Sequence, residues 1–444
     1  MRRTDAGREI GPFQYAGQGV LGRVMKNVLV GKLRALGQGQ IRMIDGNEEI
    51  LLGERDPDCP LRSTIVVNSP DFYPAVTLGG SVGAAEAYMA GAWDCTDLVT
   101  LVRILVRNQE ALDGMERGWA GLAGNAYRFA HFLSRNTRKG GRKNIAAHYD
   151  LGDDFFSLFL DETMTYSCGI FEHAGSTLKE ASVAKYDRIC RKLALRPDDH
   201  VLEIGTGWGG FAVHAAAGYG CRVTTTTISR RQHEHAARRI REEGLEDRVE
   251  LLLADYRDLS GRFDKLVSIE MIEAVGHQYL ETFFRQCSSR LKPDGMMLLQ
   301  AITIPDDRYD LHTRSVDFIK RYIFPGSSIP SVSAITRATA SATDMRMVHL
   351  EDITPHYART LREWRTRFLS RLCEVRALGY PESFLRMWEY YLCYCEGSFE
   401  ERYNGDVQIM FAKPRCRTEP LLPPIPHPKG SSSPGETGLP CVLR

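Results

Sequence analysis

Residues 201 to 210 read VLEIGTGWGG: an apolar strand-forming run breaks into alternating glycines and opens into the small apolar start of a helix. A strand, a tight glycine turn and a helix in that order let the backbone come very close to a bound nucleotide. The motif sits at the head of a longer alternation, VLEIG, GGFAVHAAAGYG, CRVTTTTI, RRQHEHAARRIREEG, RVELLLAD, FDKLVSI, YLETFFRQCSSRL and GMMLLQAIT, which runs to residue 303. Apolar β runs separated by amphipathic helical stretches predict a parallel sheet covered on both faces. The fold class is α/β.

Alone, a G-x-G-x-G loop is weak evidence of function. Three features separate this one from a dinucleotide site: Glu203 lies inside the strand end, the spacing is not G-x-G-x-x-G, and TTTTISRRQ puts no acid at the end of the second strand. With LLLADYRDL after the third strand and RLKPDGMMLL before the fifth, the order resembles class I S-adenosylmethionine methyltransferases. That resemblance implies a Rossmann-like, mostly parallel seven-stranded sheet.

Ahead of this unit, residues 36 to 80 hold short apolar runs broken by Asp-Gly, Asn-Ser-Pro and Gly-Gly, which predict a small β-rich unit. The stretch from Val82 to Leu112 then has helical spacing, with Leu98, Val102, Leu105 and Val106 on one face. The expected organisation is an accessory α+β domain over 1–125, a basic linker over 126–145, a catalytic domain over 146–415 with a lipid-binding insertion at about 304–345, and a tail over 416–444. From Arg128 to Lys143 the chain carries six Lys or Arg and no acid, suiting either a solvated connector or contact with anionic lipid head groups. The tail is rich in Pro, Ser and Gly and is expected to be disordered.

Composition narrows the partners. Fifty-seven basic against 56 acidic residues give a net charge of +1, which argues against a dedicated nucleic-acid binder. Eleven cysteines without a CxxC pair fit free thiols in a reducing compartment rather than a disulfide framework, and no metal site is expected. No apolar run approaches the length needed to cross a bilayer, and the N-terminus lacks a signal-peptide core, so the expectation is a cytoplasmic protein.

The sequence becomes more specific at NIAAHYDLGDDFFSLFLDETMTYSCGIF, SIEMIEAVG, DFIKRYIFPGSSIPS and WEYYLCYCEGSF. In their order these resemble the cyclopropane-fatty-acyl-phospholipid synthases and the mycolic acid cyclopropane synthases, over about residues 80 to 413. The resemblance implies an S-adenosylmethionine-dependent enzyme that adds a methylene across a cis double bond of a phospholipid acyl chain. It implies that Tyr166 and Ser167 contact S-adenosylmethionine, that the loop with Glu203, Gly205, Gly207 and Gly209 lies under it, that Thr227, Ser229 and Gln232 meet the ribose side, and that Tyr256 and Arg257 border the adenine. An aromatic face suits a sulfonium cation.

The chemistry needs a dry site and a fixed base but no enzyme nucleophile, since the alkene attacks the methyl directly. By resemblance the base is a bound bicarbonate, held by Glu273, Tyr357 and the backbone of the turn at Cys168, which is then a wall residue and not an attacking thiol. Gln300 stands in LLQAI where many relatives have His; its amide can donate but cannot carry a positive charge. The family also marks a Cys at the position of Cys395, for which the chemistry offers no thiolate step. For the lipid, DDFFSLFL, YIFPG, Trp388, Tyr390 and Tyr391 are expected to line an acyl tunnel. The helix bearing Leu361, Trp364, Phe368 and Leu372 on one face and five arginines elsewhere either faces the core or lies on a membrane. A possible homodimer, a methyl-branched or methylene product, and a non-catalytic lipid- or S-adenosylmethionine-binding role are the remaining expectations.

Overall fold

The computed structural model describes residues 19–54, 56–110, 112, 151–419 and 421. The expected basic linker, and the tail beyond residue 421, lie outside the described residues. The first sheet contains β1 (Gln40–Asp45), β2 (Glu48–Leu52), β3 (Arg62–Val67) and β4 (Trp93–Cys95) in the order β2-β1-β3-β4. β1 pairs antiparallel with β2 and parallel with β3. Helices α1 (Val20–Leu33), α2 (Phe72–Met89) and α3 (Leu98–Arg107) accompany it. The segment FYPAVTLGG, expected within the β-rich unit, is helical instead: Phe72, Tyr73, Pro74 and Ala75 form the buried first turn of α2. The proline falls where a missing N–H costs no helical hydrogen bond. α2 kinks at Gly80, and a Cβ on Gly83 would fall 2.0 Å from the Ala75 carbonyl oxygen, so the bent halves touch backbone to backbone.

The second part is a seven-stranded sheet of β5 (His200–Ile204), β6 (Arg222–Thr227), β7 (Val249–Leu253), β8 (Phe263–Ile269), β9 (Leu291–Thr303), β10 (Arg346–Asp352) and β11 (Gly405–Ala412). Its order is β10-β11-β9-β8-β5-β6-β7, with β11 antiparallel to both neighbours and the other pairings parallel. This is the mostly parallel α/β sheet that the sequence alternation predicts. The helices are α4 (Asp153–Phe156), α5 (Leu178–Lys192), α6 (Gly210–Tyr219), α7 (Arg230–Glu242), α8 (Leu280–Arg290), α9 (Asp306–Arg314), α10 (Val332–Ala342), α11 (Thr354–Ser370), α12 (Leu372–Ala377) and α13 (Glu382–Glu400). α5 starts in a full capping box between Thr177 and Glu180.

One cluster of buried side chains runs without interruption from Leu29, Ile41 and Trp93 of the first part to Phe155, Trp364 and Trp388 of the second. α13 makes the junction: Arg386 donates to the carbonyls of Tyr88 and Trp93, and Tyr88 Oη donates to Glu389 at 3.0 Å. Gly397 lets α13 close on α3, where a Cβ would lie 2.8 Å from Val102. The arginine-rich helix α11 faces the core. Leu361, Trp364 and Phe368 are buried, Arg362 and Arg365 pair with Glu396, and Arg367 donates to the Leu160 carbonyl.

Candidate active site

β5 is where the strand order reverses, with β6 on one side and β8 on the other, and the crevice at the carboxyl ends of such strands is the usual ligand site. A cavity of about 560 Å³ opens there. Gly205, Gly207 and Gly209 have φ of 104°, 53° and 87°, conformations that side chains rarely adopt. A Cβ on Gly207 would meet no atom within 4 Å, so a side chain would enter the open space that the loop borders.

Of the residues expected to hold S-adenosylmethionine, Tyr166, Ser167, Glu203, Gly205, Gly207, Thr227, Gln232, Tyr256 and Arg257 line this cavity. Two others have structural roles. Gly209 does not line it; its Cβ would press on Ala236 at 3.2 Å, so its glycine serves the approach of α6 to α7. Ser229 caps α7, its Oγ accepting from the Gln232 N–H at 3.3 Å. Thr227 Oγ1 donates to Gln232 Oε1 at 2.9 Å. Arg257 grips Asp255 through two donors, Nε at 2.8 Å and a terminal nitrogen at 2.6 Å, fixing a carboxylate that also lines the cavity. The residues fit S-adenosylmethionine: the open cradle at Gly207, the hydroxyl and amide at Thr227 and Gln232, and the Tyr166 ring offer a nucleoside and a sulfonium what each needs. Burial pushes the Glu203 carboxyl up to about 8, although Thr225 donates to it at 2.5 Å.

The catalytic end differs from expectation. Tyr357, expected to share a bound bicarbonate with Glu273, donates its hydroxyl to Glu270 Oε2 at 2.6 Å. Glu270 Oε1 accepts from the Cys168 N–H and from Gln300 Nε2, each at 2.8 Å. Glu273 stands beside this group, accepting from the Ile302 N–H at 2.6 Å, with Oε2 lacking a partner among the described residues. The expected bicarbonate therefore does not fit: the Cys168 N–H, the Gln300 amide and the Tyr357 hydroxyl all point at a carboxylate of the chain itself. Glu273 and Glu270 both line the cavity, whereas Gln300 and Cys168 act from behind its wall.

Charge explains the arrangement. Burial pushes Glu273 up to about 8, with the nearby charge of Glu270 adding to it. Asp406 is pushed well above the carboxylate range by burial and then by Glu270 and Glu273. Glu270 is also raised by burial, opposed by the Tyr357 hydrogen bond, the Lys185 charge, the Cys168 N–H and the Gln300 amide. Lys185 is fully buried, lines the cavity and donates to Ser167 Oγ at 2.6 Å. Burial lowers its pKa, and the charge of Glu270 is the largest influence opposing that. With the buried Lys185 as counter-charge, the buried Asp406 and the half-buried Glu270 and Glu273 do not all ionise. Glu270 has the most donors and holds the negative charge, and the protons sit on Glu273 and Asp406.

Cys168, expected as a wall residue, lies behind the cavity wall instead: its thiol is buried, bonds the Gly169 carbonyl and is pushed well up by burial. Cys395 lines the cavity, but burial pushes its thiol up as well, leaving no thiolate. The aromatic run at Phe155, Phe156 and Phe159, expected in the acyl tunnel, is fully buried core with Trp388; Tyr390, Tyr391 and Phe324 do line the cavity. The sequence reading missed Glu270, Lys185, Asp255 and Asp406. For Glu270 a signal existed, a second acid in SIEMIEAVG, placed at the carboxyl end of β8 where the crevice opens.

A family model described as mycolic acid cyclopropane synthetase matches residues 136–409. The chain is 38% identical over 360 residues to the tuberculostearic acid methyltransferase UfaA1 of Mycobacterium tuberculosis, covering 79% of this chain and 83% of that protein. It is 38% identical over 351 residues to the cyclopropane-fatty-acyl-phospholipid synthase of Escherichia coli K12, covering 79% and 87%. Among solved structures, the cyclopropane synthase MmaA2 of Mycobacterium tuberculosis superimposes with a TM-score of 0.58 at 33% identity, covering 61% of this chain and 98% of that one. The mycolic acid cyclopropane synthase CmaA1, complexed with SAH and CTAB, matches with the same figures: TM-score 0.58, 33% identity, 61% and 98%.

Proposed function

The chain belongs to the mycolic acid cyclopropane synthetase family, and we propose that it converts a cis double bond of a phospholipid acyl chain into a cyclopropane with S-adenosylmethionine as donor. The observation that carries this reading is the shape of the cavity. One end is the glycine loop and Tyr166; the other is apolar, walled by Leu29, Leu33, Ile41, Ile65, Phe72 and Leu101 from the first sheet and its helices. A charged nucleoside and a long hydrocarbon can meet in it.

S-adenosylmethionine, when bound, supplies a methyl group on a positively charged sulfur. Held by Tyr166, Thr227, Gln232 and the glycine loop, it would deliver that methyl to the π pair of the double bond and leave as the neutral sulfide. The remaining cation on the acyl chain must lose a proton before water reaches it. Leu361, Phe324 and Tyr391, all on the cavity wall, exclude water at that stage, and Tyr166 is held in place by a 2.8 Å hydrogen bond between its hydroxyl and that of Tyr391. An acyl substrate of this kind is met at a bilayer surface, so peripheral membrane association is part of the proposal. No helix among the described residues is long and apolar enough to cross a membrane.

A second reading, a methyl-branched or methylene chain, is favoured by the equal likeness to a tuberculostearic acid methyltransferase and by Gln300 in place of a chargeable group. Mass spectrometry of lipids from a host expressing the protein decides: a gain of one CH2 is expected, and ring-opening fragmentation separates cyclopropane from branched product. No mass gain in a host rich in unsaturated phospholipid would refute both and favour a binding protein.

A further inference from the structure

We propose that Glu270 is the base of the reaction, a carboxylate built into the chain that takes the proton from the newly added methyl group. The inference rests on the reaction proposed above and goes beyond it by naming the proton acceptor.

Position is the first argument. Glu270 follows the last residue of β8, at the carboxyl edge of the sheet beside the glycine loop, and lines the cavity. Its neighbour Met271 lies 3.2 Å from where a Cβ on Gly205 would be, so the carboxylate shares a wall with the donor's cradle. Its φ is 47°, left-handed backbone that a glutamate rarely adopts, and its N–H is tied to the Gln300 carbonyl at 2.9 Å. Strain of this kind persists where the surroundings over-determine it and gathers at functional sites.

The hydrogen bonds are the second argument. The Cys168 N–H, the Gln300 amide and the Tyr357 hydroxyl come from three separate segments of the chain and converge on this one carboxylate, with Lys185 as buried counter-charge. They fix where the two oxygens lie and keep the group ionised in a dry site. A C–H beside a cationic carbon is strongly acidic, so the base needs position more than strength.

The step balances. A Glu270 oxygen forms an O–H bond with a proton of the new methyl, and the C–H pair closes onto the cationic carbon as the third ring bond. The acyl cation is neutralised, the carboxylate becomes a carboxylic acid, and that proton returns to water once the product has left. No dissolved carbonate is consumed or needed.

The test uses the full-length protein with unsaturated phospholipid vesicles and S-adenosylmethionine, in buffer stripped of carbon dioxide or supplemented with bicarbonate. Wild-type turnover is expected to be the same in both. Glu270→Gly relieves a left-handed position and leaves room among the three donors. It should lose ~100-fold or more in stripped buffer, recover at least ~10-fold with added bicarbonate or formate, which restore a mobile base, and bind S-adenosylhomocysteine with unchanged affinity by calorimetry. Two results would overturn the proposal: wild-type activity that collapses on stripping, which needs no variant to fold, or full activity of Glu270→Gly in stripped buffer. Absence of any lipid product from the wild type with carbonate present would overturn the reaction itself and this inference with it.

Discussion

Glu273→Gln separates the charge state of this site from its shape. Glu273 is half-buried with its Oε2 shielded from solvent, its carboxyl ordinarily titrates at 4.5, and in the folded protein burial and the charge of Glu270 move it to about 8. A carboxyl raised on folding contributes stability that is complete below its unfolded value and is lost as pH rises through the folded one. Each pH unit between the two values costs ~1.4 kcal/mol, so from pH 6 to pH 8 the wild type loses ~2 kcal/mol through this group. Glutamine keeps the Oε1 acceptor for the Ile302 N–H and never ionises. Glu203, also raised to about 8, remains in both proteins and cancels in the difference. Urea unfolding of both proteins at pH 6, 7 and 8 measures it. The variant should gain on the wild type by ~2 kcal/mol across that range. A gap constant to within ~0.5 kcal/mol would mean that Glu273 is ionised throughout, and the assignment of the negative charge to Glu270 would fall.

Gly207→Val should weaken S-adenosylhomocysteine binding by ~10-fold or more, because it strains a left-handed position and projects into the cradle; unchanged calorimetric affinity removes the cofactor assignment. Cys168→Ser and Cys395→Ser should each keep turnover within ~3-fold, since neither thiol reaches the thiolate form; a ~100-fold loss in either would demand a covalent step. Gly397→Val should lower stability by ~1–3 kcal/mol by driving Val102 and α3 away from α13, measured by thermal denaturation, and a neutral result would show that the junction is loose.

The alternation from residue 201 to 303 announced the sheet because a parallel sheet buried on both faces leaves nearly continuous apolar strands, a pattern local to each segment. The glycine loop was legible for the same reason: its chemistry is backbone chemistry. What the sequence hid is pairwise. Nothing local distinguishes Glu270 from Glu273, three residues apart; which one meets Tyr357 depends on a backbone that turns left-handed at the strand end. Lys185 sits in KEASVAKYDRICRK, where a lysine reads as solvated, and only the packing of α5 against the turn at Ser167 buries it. The phenylalanines at 155, 156 and 159 looked like a tunnel because aromatic clusters read alike as wall and as core.

The mycolic synthase structures align with 61% of this chain at nearly their whole length, and the family model begins at residue 136, after the first sheet and its helices. Here that extra part shares its buried core with α13 and supplies the apolar end of the reaction cavity. In the proposed reaction it is thus a portion of the vessel in which a water-sensitive cation is made, and an incision between the two parts would compromise product purity before it compromised affinity. A trimmed catalytic domain that still held its methyl donor would be expected to leak hydroxylated acyl chains in place of rings.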